Sequence, residues 1–571
     1  MNVQTVRPHR PRAMLCALSV GLASLATLGT LTGCSKSASA PEADPLLEYQ
    51  WHLKNTGQGV FSDQRPVPGI DLDMGTLFEE GITGKGVIVG LLDRDRANAD
   101  HEDLARNMVI PHARSTSTDA RSAMHATAVA AIIAAAANNG KGGRGIAPEV
   151  RILDLTADIP PGTPAPRLID NSLGAQTPRF MPYTHSEIRR DDDALDNPAQ
   201  PLIFRAAGDS FLALAPDAAR ALCAATTRGS GVGCISAVVD PASANPLSVT
   251  VGAVNAAGQK ASYSATGSAL WISGLGGEAG SQRAYRLKDE TAEALGKMPR
   301  SDFAPGLVTA DAPGCAQGLN QEHSSYNALD SGARSVIERN CNYTARFSGT
   351  AVAAATVTGV AALLLQVNPK LSWWDIKYLL ATTARKIDPT QKKTRWNDIT
   401  LDGGWTTNAA GHPFSNSYGF GLADASRAVA AARHFNPLPQ PHFTAWSTSI
   451  TQPLTIPYHS ESEGYSTIAL DDNLKCDTVQ IRLKTTHKMP GNLRILLVSP
   501  AGTRSVLLPA LTLLMPTPDG FVIDLAASNA FLDESAKGTW KLQVMDMLDP
   551  SSDGNATLTS WQLRVLGRPA S

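Results

Sequence analysis

The chain has 571 residues, of which 43% are hydrophobic and 18% are charged, a balance typical of globular proteins rather than disordered chains. This length exceeds that of one ordinary domain, so we expect two folded domains behind a leader. The formal net charge is -2 and no long basic run occurs, which excludes the charge pattern of a nucleic-acid-binding protein. We therefore expect no nucleic-acid partner.

Residues 1–34 have the pattern of an export leader. Basic residues, including Arg7 and Arg12, precede an apolar stretch over residues 13–30, and Leu-Thr-Gly-Cys follows at residues 31–34. This pattern resembles a bacterial lipoprotein signal peptide with its lipobox, and the resemblance implies cleavage before Cys34 and lipid attachment to that residue. Because Ser35 comes next, the resemblance implies an exported lipoprotein at the outer membrane or cell surface of a bacterium. A plain secretory signal peptide is the alternative.

Four further segments follow the leader. Residues 35–48 form a spacer rich in Ser, Ala and Pro, and residues 49–435 alternate strand-like apolar runs with longer Ala-rich helical patterns. Such alternation predicts an α/β fold with a parallel sheet flanked by helices. The Pro-rich residues 436–441 predict a linker, and the short alternating runs of residues 442–571 predict an all-β domain, a β-sandwich.

The predicted elements of the α/β domain begin with a buried strand over residues 87–92. An Ala-rich helix over residues 125–137 follows, and the next strand covers residues 151–155. Two further strands are predicted in this domain, over residues 202–207 and 247–254, together with helices from Val352, over residues 374–384 and over residues 422–434. In the all-β domain we predict strands over residues 479–483, 493–498 and 561–566. Residues 276–346 form an insertion that is either a lid over a cleft or a surface loop.

Five cysteines follow the leader, in an export context where disulfides persist. The short separations favour pairing Cys223 with Cys234 and Cys315 with Cys341, which leaves Cys476 free. Spacing alone leaves the other connectivities open.

An acid, a histidine and a Gly-Thr turn before an apolar helix occur in that order along the chain. Asp93 follows the first predicted strand, His125 starts the Ala-rich helix, and Gly349-Thr350 precedes Ala351. A serine protease needs a base to take the proton of its nucleophile and a buried carboxylate to orient that base. Taken singly, an Asp that ends a strand and a His that caps a helix are ordinary structural residues, so the order of all three carries the interpretation.

Six blocks of sequence carry a family resemblance: Gln50-Trp51-His52-Leu53, His125-Ala126-Thr127, Phe347-Ser348-Gly349-Thr350-Ala351, residues 416–425, residues 498–505 and residues 538–542. They resemble the subtilisin-like serine proteases, and most closely the kexin/furin branch with its appended P domain. The resemblance implies a subtilisin-like parallel sheet flanked by helices, followed by an all-β, jelly-roll-like P domain. It implies the following roles: orienting acid Asp93, general base His125, oxyanion position Asp209, and substrate-binding strand Ser172, Leu173 and Gly174.

The same blocks depart from the family at the positions that matter for catalysis. Ala351 stands where the family has its nucleophilic serine, and a methyl group cannot attack a carbonyl. Removing that serine from a related protease lowers turnover by about two-million-fold. Asp209 replaces the asparagine of the oxyanion hole, where an ionised carboxylate would repel the developing charge. Further departures are Ala126 for glycine, Ala355 for proline, and Arg94 and Arg96, two arginines that we expect to crowd Asp93.

These departures favour a catalytically inactive surface pseudoprotease that binds a peptide or partner protein in its cleft. Two alternatives remain. The chain is an active serine endopeptidase in which serine was replaced by Ala351, or it is a mainly structural, adhesive surface lipoprotein. The sequence does not decide between a natural and an engineered origin of Ala351.

The family resemblance also implies a structural calcium ion. Three side chains, Asp44, Asp103 and Asn139, fall at matching positions, and the backbone carbonyls would come from Ala136, Lys141 and Gly143. Such an all-oxygen set suits Ca²⁺. The alternative is a pair of solvated loop acids and a helix C-cap.

Overall fold

The computed structural model describes residues 42–112, 120–174, 177–212, 217–449, 452–548 and 555–570. Cys34 and the rest of the predicted leader lie outside these ranges. A parallel sheet of six strands, ordered β2-β1-β3-β4-β5-β6, forms the centre of the first part of the described chain. Its strands are β1 Ile88–Leu92, β2 Arg151–Asp154, β3 Leu168–Asn171, β4 Leu202–Ala206, β5 Ser248–Val254 and β6 Leu270–Leu275. The predicted parallel sheet is confirmed.

Eight helices are described in this part of the chain. They are α1 Ala120–Ala134, α2 His185–Ala194, α3 Asp217–Thr227, α4 Arg283–Arg286, α5 Ala292–Lys297, α6 Thr350–Val367, α7 Trp373–Thr383 and α8 Ala425–Ala432. Among them, α1, α6 and α7 contact the sheet. Helix α6 is apolar on all sides because it lies in the core against strands β3 to β6. By length and composition α6 is also apolar enough to cross a membrane, but 89% of it is buried within the protein.

Two predicted helix starts are wrong. Helix α1 begins at Ala120, so His125 lies in its second turn rather than at its start. Helix α8 begins at Ala425 rather than at residue 422, because the side chain of Asp424 accepts a hydrogen bond from the Arg427 N–H and caps the helix there.

The insertion at residues 276–346 is packed against the domain rather than extended from it. It carries α4, α5 and the antiparallel pair β7 Leu307–Ala310 and β8 Tyr343–Phe347, the second of which leads directly into α6. Cys315 and Cys341 form a disulfide within it. The fully buried carboxylate of Asp330 accepts hydrogen bonds from the Thr344 hydroxyl at 2.6 Å and the Ala345 N–H at 2.9 Å, which fixes the start of β8.

The segment that precedes the sheet is anchored in the core. The Trp51 indole donates to the Gly306 carbonyl at 2.8 Å, and the neighbouring His52 side chain is completely buried. Neither ring nitrogen of His52 has a hydrogen-bond partner among the described residues. Burial without a partner lowers the pKa of His52 to about 3.

Two antiparallel sheets face each other in the last part of the chain. One contains β13 His442–Phe443, β14 Ser447–Ser449, β15 Leu454–Thr455, β17 Leu474–Thr485, β20 Val522–Ser528 and β22 Thr557–Pro569; the other contains β16 Tyr465–Leu470, β18 Leu493–Val498, β19 Arg504–Pro509 and β21 Gly538–Asp546. Side chains that include Trp540 and Trp561 fill the space between them. The predicted all-β sandwich is confirmed. The short strands β9 Thr394–Trp396, β10 Ile399–Asp402, β11 Thr406–Thr407 and β12 Pro413–Phe414 precede it.

The sandwich and the α/β part share their interior. The disulfide between Cys223 and Cys234 belongs to the same apolar cluster as the sandwich core. The buried amide of Asn529 donates to the Ala269 carbonyl at 2.9 Å and the Leu270 carbonyl at 3.2 Å. Residues 42–571 form one compact unit. The two parts therefore fold against each other over a continuous buried interface.

Candidate active site

The imidazole of His125 and the carboxylate of Asp93 form a hydrogen-bonded pair. Asp93 follows β1, and its Oδ2 lies 2.7 Å from His125 Nδ1 on α1. Burial alone would lower the pKa of His125, but the hydrogen bond and charge of Asp93 outweigh it, so the pKa is raised. The Asp93 side chain is 2% exposed and the His125 side chain 34% exposed, so the ring faces solvent while the acid behind it does not.

A second carboxylate, Asp170, lies next to this pair and was not predicted from the sequence. Asp170 belongs to β3, which pairs with β1, and it is fully buried. Its Oδ2 accepts a hydrogen bond from the Thr358 hydroxyl of α6 at 2.8 Å. Burial, with a contribution from the charge of Asp93, raises the pKa of Asp170 to about 7. The only sequence signal was an acid inside an apolar strand.

Ala351 lies in the first turn of α6, next to the His125 side of the cleft. Phe347, four residues earlier, contacts the His125 ring edge-to-face with 5.4 Å between ring centroids. Gly349 precedes the helix with φ 147°, a backbone conformation that favours glycine. Ala351 is 6% exposed. The structure thus brings the acid, the histidine and the start of α6 together, and the last of these carries no nucleophile at residue 351.

The carboxylate of Asp209 contacts the N-terminus of α6. Its Oδ1 accepts from the Thr350 N–H at 2.8 Å and from the Thr350 hydroxyl at 2.7 Å. Burial raises the pKa of Asp209, although the Thr350 hydrogen bonds and His125 act in the opposite direction. A carboxylate at a helix N-terminus is favourable for the helix. The backbone N–H of Thr350 is therefore already occupied by a side chain of this chain.

The segment Ser172, Leu173 and Gly174 continues from β3 along the edge of the cleft. The Ser172 N–H donates to the Leu92 carbonyl at 3.2 Å, which holds the segment beside Asp93. A Cβ on Gly174 would lie 2.6 Å from the Gly208 nitrogen, so only glycine allows this approach to the Asp209 turn.

The prediction that two arginines crowd Asp93 is wrong. The Arg94 side chain is exposed, and only its backbone N–H contacts Asp93, at 2.7 Å from Oδ1. The guanidinium of Arg96 instead donates to the Thr156 carbonyl at 3.1 and 3.2 Å. The chain bends at residues 94–95, directly after β1 and Asp93.

The candidate calcium residues lie together beside α1. Oδ2 of Asp103 is buried without a hydrogen-bond partner among the described residues. Its Oδ1 accepts from the Asn139 amide at 2.7 Å, while Asp44 accepts from the Asn138 and Asn139 N–H groups at 2.9 and 3.0 Å. Within the described ranges the carbonyls of Ala136, Lys141 and Gly143 accept no hydrogen bond.

Burial raises the pKa of Asp103 to about 6; the side chains of Asn139 and Tyr343 oppose this shift, and the charges of Asp44 and Glu102 reinforce it to a smaller extent. A buried carboxylate with one oxygen lacking a partner, beside carbonyls with free lone pairs, fits a hard divalent cation. In the part of the chain that the structure describes, no three His, Cys, Asp or Glu side chains converge as a metal site, so the set depends on amide and backbone oxygens.

Comparison with known proteins agrees with this geometry. The model of the subtilase family matches residues 84–421, and that of the proprotein convertase P-domain matches residues 476–565. The chain is 31% identical to the Aeromonas extracellular serine protease of Aeromonas sobria, covering 93% of this chain and 92% of the relative. It is 25% identical to human furin, covering 99% of this chain and 63% of furin.

Solved structures show the same similarity. The crystal structure of the serine protease of Aeromonas sobria matches with a TM-score of 0.79 at 27% identity, covering 94% of this chain and 97% of that one. The structure of the same protease in complex with a chaperone matches with a TM-score of 0.79 at 28% identity.

Proposed function

Because the chain belongs to the subtilase family, we propose that it is a pseudoprotease whose cleft binds a peptide or partner protein without cutting it. The observation that carries this proposal is the pair of changes at the start of α6. Ala351 supplies no hydroxyl, and the Asp209 carboxylate is hydrogen-bonded to Thr350. Peptide hydrolysis would need both an attacking oxygen and free donors for the oxyanion.

A second candidate is an active subtilase in which the nucleophilic serine has been replaced by Ala351. The observation that favours it is the Asp93–His125 pair, whose 2.7 Å hydrogen bond and raised His125 pKa suit a general base. Asp209 argues against it, because loss of one oxyanion donor costs about 10²- to 10³-fold in turnover. The two candidates therefore predict different levels of peptide cleavage for the single variant Ala351→Ser.

The experiment compares the chain as it stands with Ala351→Ser and with Ala351→Ser combined with Asp209→Asn, assayed on a broad library of fluorogenic peptides. We expect no cleavage by the first protein, a trace by the single variant, and about 10²- to 10³-fold more by the double variant. His125→Ala in the double-variant background is the control for adventitious protease. Cleavage by the chain as it stands contradicts the proposal, and full activity of the single variant favours the second candidate.

The proposed ligand of the cleft is an extended peptide segment that lies along Ser172, Leu173 and Gly174. The relative from Aeromonas sobria has been crystallised with a chaperone, which supports a protein as the source of that segment. Binding of a randomised, fluorescently labelled peptide library measures this directly. Gly174→Ala puts a methyl group against Gly208 and should weaken binding at least tenfold, whereas binding that is unaffected would place the peptide elsewhere.

We further propose that Asp44, Asp103 and Asn139, with the carbonyls of Ala136, Lys141 and Gly143, hold a structural Ca²⁺. A cation there would neutralise the buried Asp103 carboxylate and join the first described residues to the loop after α1. The melting temperature should rise with millimolar CaCl₂ and fall with EDTA, and Asp103→Asn should reduce this response. Equal melting temperatures in calcium and EDTA would rule out the site.

The location that we propose is the outer membrane or cell surface of a bacterium, through lipid on Cys34. The pattern at residues 31–34 supports it, and the relative from Aeromonas sobria is an extracellular protease. Metabolic labelling with an alkyne fatty acid should mark the wild-type chain but not Cys34→Ser. Labelling that survives this substitution would move the anchor away from residue 34.

A further inference from the structure

A cavity of about 270 Å³ lies between the α/β part and the sandwich, away from the cleft, and charged side chains line it together with apolar ones. Lys393 and Asp402 line it from the segment that carries β9 and β10, and Glu461, Arg494 and Arg504 line it from the sandwich. Three cationic side chains therefore face two carboxylates. The cavity is bounded by both parts of the protein, so any occupant contacts both.

Arg494 is the most deeply buried of these cations. Its side chain is 1% exposed, and its Nε donates to the Thr400 carbonyl at 2.8 Å. The other two donors make long contacts, from Nη1 to Gln543 Oε1 at 3.3 Å and from Nη2 to Glu461 Oε1 at 3.5 Å. Charge-assisted bonds to carboxylates are usually about 2.7–2.9 Å, so this guanidinium is incompletely bonded. Burial lowers the pKa of Arg494 to about 10, which leaves it charged at neutral pH.

The one carboxylate near Arg494 is shared. Oε1 of Glu461 also faces Nη2 of Arg504, at 3.8 Å, and the Glu461 side chain is 45% exposed. The Glu461 backbone cannot move closer, because the buried Gln543 amide donates to the carbonyls of residues 460, 461 and 463 at 3.1, 3.2 and 2.7 Å. Oε1 of the half-exposed Glu461 side chain is thus the partner of both guanidinium groups. Its distances to Arg494 and Arg504, 3.5 and 3.8 Å, are too long for a strong ion pair.

We propose that this cavity binds a small oxyanion of phosphate or sulfate size, held by Arg494 and Arg504 with Lys393 at its rim. Arginine forks match the oxygens of such anions. The hydroxyls of Ser415, Thr406 and Ser505 line the same space but are bonded to Gln391, the Phe414 carbonyl and Ser528, so the cationic side chains supply the donors. Asp402 also lines the cavity, and its Oδ1 accepts a hydrogen bond from the Gly404 N–H at 2.8 Å. Because the anion contacts both parts of the protein, its binding stabilises their docked arrangement.

The experiment measures thermal unfolding of the full exported chain in sodium sulfate against sodium chloride at equal ionic strength, with isothermal titration of sulfate at 25 °C. Sulfate is the first probe because phosphate would also sequester calcium, and phosphate is repeated in calcium-free buffer. We expect a saturable rise in melting temperature with sulfate that chloride does not reproduce. Arg504→Gln should weaken sulfate binding about tenfold, since one charged hydrogen bond is lost.

Glu461→Gln is the decisive variant, because removal of the competing carboxylate should strengthen sulfate binding. Arg433→Gln is the matched control, since Arg433 is similarly exposed and pairs with a surface carboxylate, Glu80, elsewhere. Arg494→Gln tests the buried contact. If that variant does not fold, the sulfate affinity of Arg504→Gln is the measurement that decides. The proposal is overturned if sulfate and chloride act alike on the wild-type chain, or if Arg504→Gln and Glu461→Gln leave the sulfate affinity unchanged.

Discussion

The buried imidazole of His52 should make folding stability fall as the pH drops below neutrality. Its folded pKa is about 3 against an ordinary value of 6.5. Between these two values the unfolded chain binds a proton that the folded chain does not, so stability is complete above pH 6.5 and is lost as the pH falls towards 3. Folding stability decreases with falling pH because burial keeps the folded histidine neutral while the unfolded histidine gains a proton.

The magnitude follows from the gap between the two pKa values. At pH 4.5 the unfolded state is two units below its pKa, and at 1.36 kcal/mol per unit the folded state loses about 2.7 kcal/mol relative to pH 8. At pH 3 the loss approaches about 4–5 kcal/mol. Losses of this size are a large fraction of the stability of an ordinary domain.

The assay is urea unfolding from pH 8 to pH 4.5, for the wild-type chain and His52→Gln. The buried carboxylates Asp103 and Asp170 have raised pKa values and change stability in the opposite direction, but they are present in both proteins and cancel in the difference. We expect the wild-type curve to fall about 2.7 kcal/mol more than the variant curve. His434→Gln removes an exposed histidine and should follow wild type. Parallel wild-type and His52→Gln curves would refute the reasoning.

Three further outcomes follow from the packing. Gly174→Ala should lower the melting temperature as well as peptide binding, because its Cβ would meet backbone at 2.6 Å; unchanged melting would show that the segment can shift. Loss of the Cys315–Cys341 disulfide in a double Ser variant, with a sequence separation of 26, should cost about 3–4 kcal/mol in unfolding under oxidising conditions, and an unchanged free energy of unfolding would contradict this. Asn529→Leu should cost about 1–3 kcal/mol by leaving two buried carbonyls without a donor, whereas an unchanged free energy of unfolding would mean that water replaces the amide.

The strands could be predicted because their signals are local, whereas the roles of Asp93 and His125 followed from their order along the chain and from the family resemblance. An apolar run ending in Asp93 predicts a strand with an acid at its carboxyl end, and neighbouring parallel strands bring such ends to one edge. The contact from Asp170 to Thr358 could not be predicted in this way. It joins residues 188 positions apart, and it depends on the rotation of α6 over the sheet.

The chemistry of Asp209 was predicted only in part. Its position at the cleft followed from the resemblance, and so did its conflict with an oxyanion. The hydrogen bonds to Thr350 depend on the close approach of two turns, where Gly349 leaves room and a Cβ would lie 3.1 Å from the carboxylate. Sequence identifies such glycines but not the group that fills the space beside them.

The segment at residues 436–441 connects the α/β part to the sandwich; most of its residues are exposed, yet it is not free of contacts. The Trp374 indole donates to the Leu438 carbonyl at 3.1 Å, and the Leu438 N–H donates to Asp375 at 2.9 Å. A host protease that cut beside these contacts would break the covalent chain while the shared interior kept both fragments in place. The nicked protein would elute at its intact size from a gel-filtration column and separate into two bands only under denaturing conditions. Processing at this site would therefore leave a two-chain protein of unchanged shape.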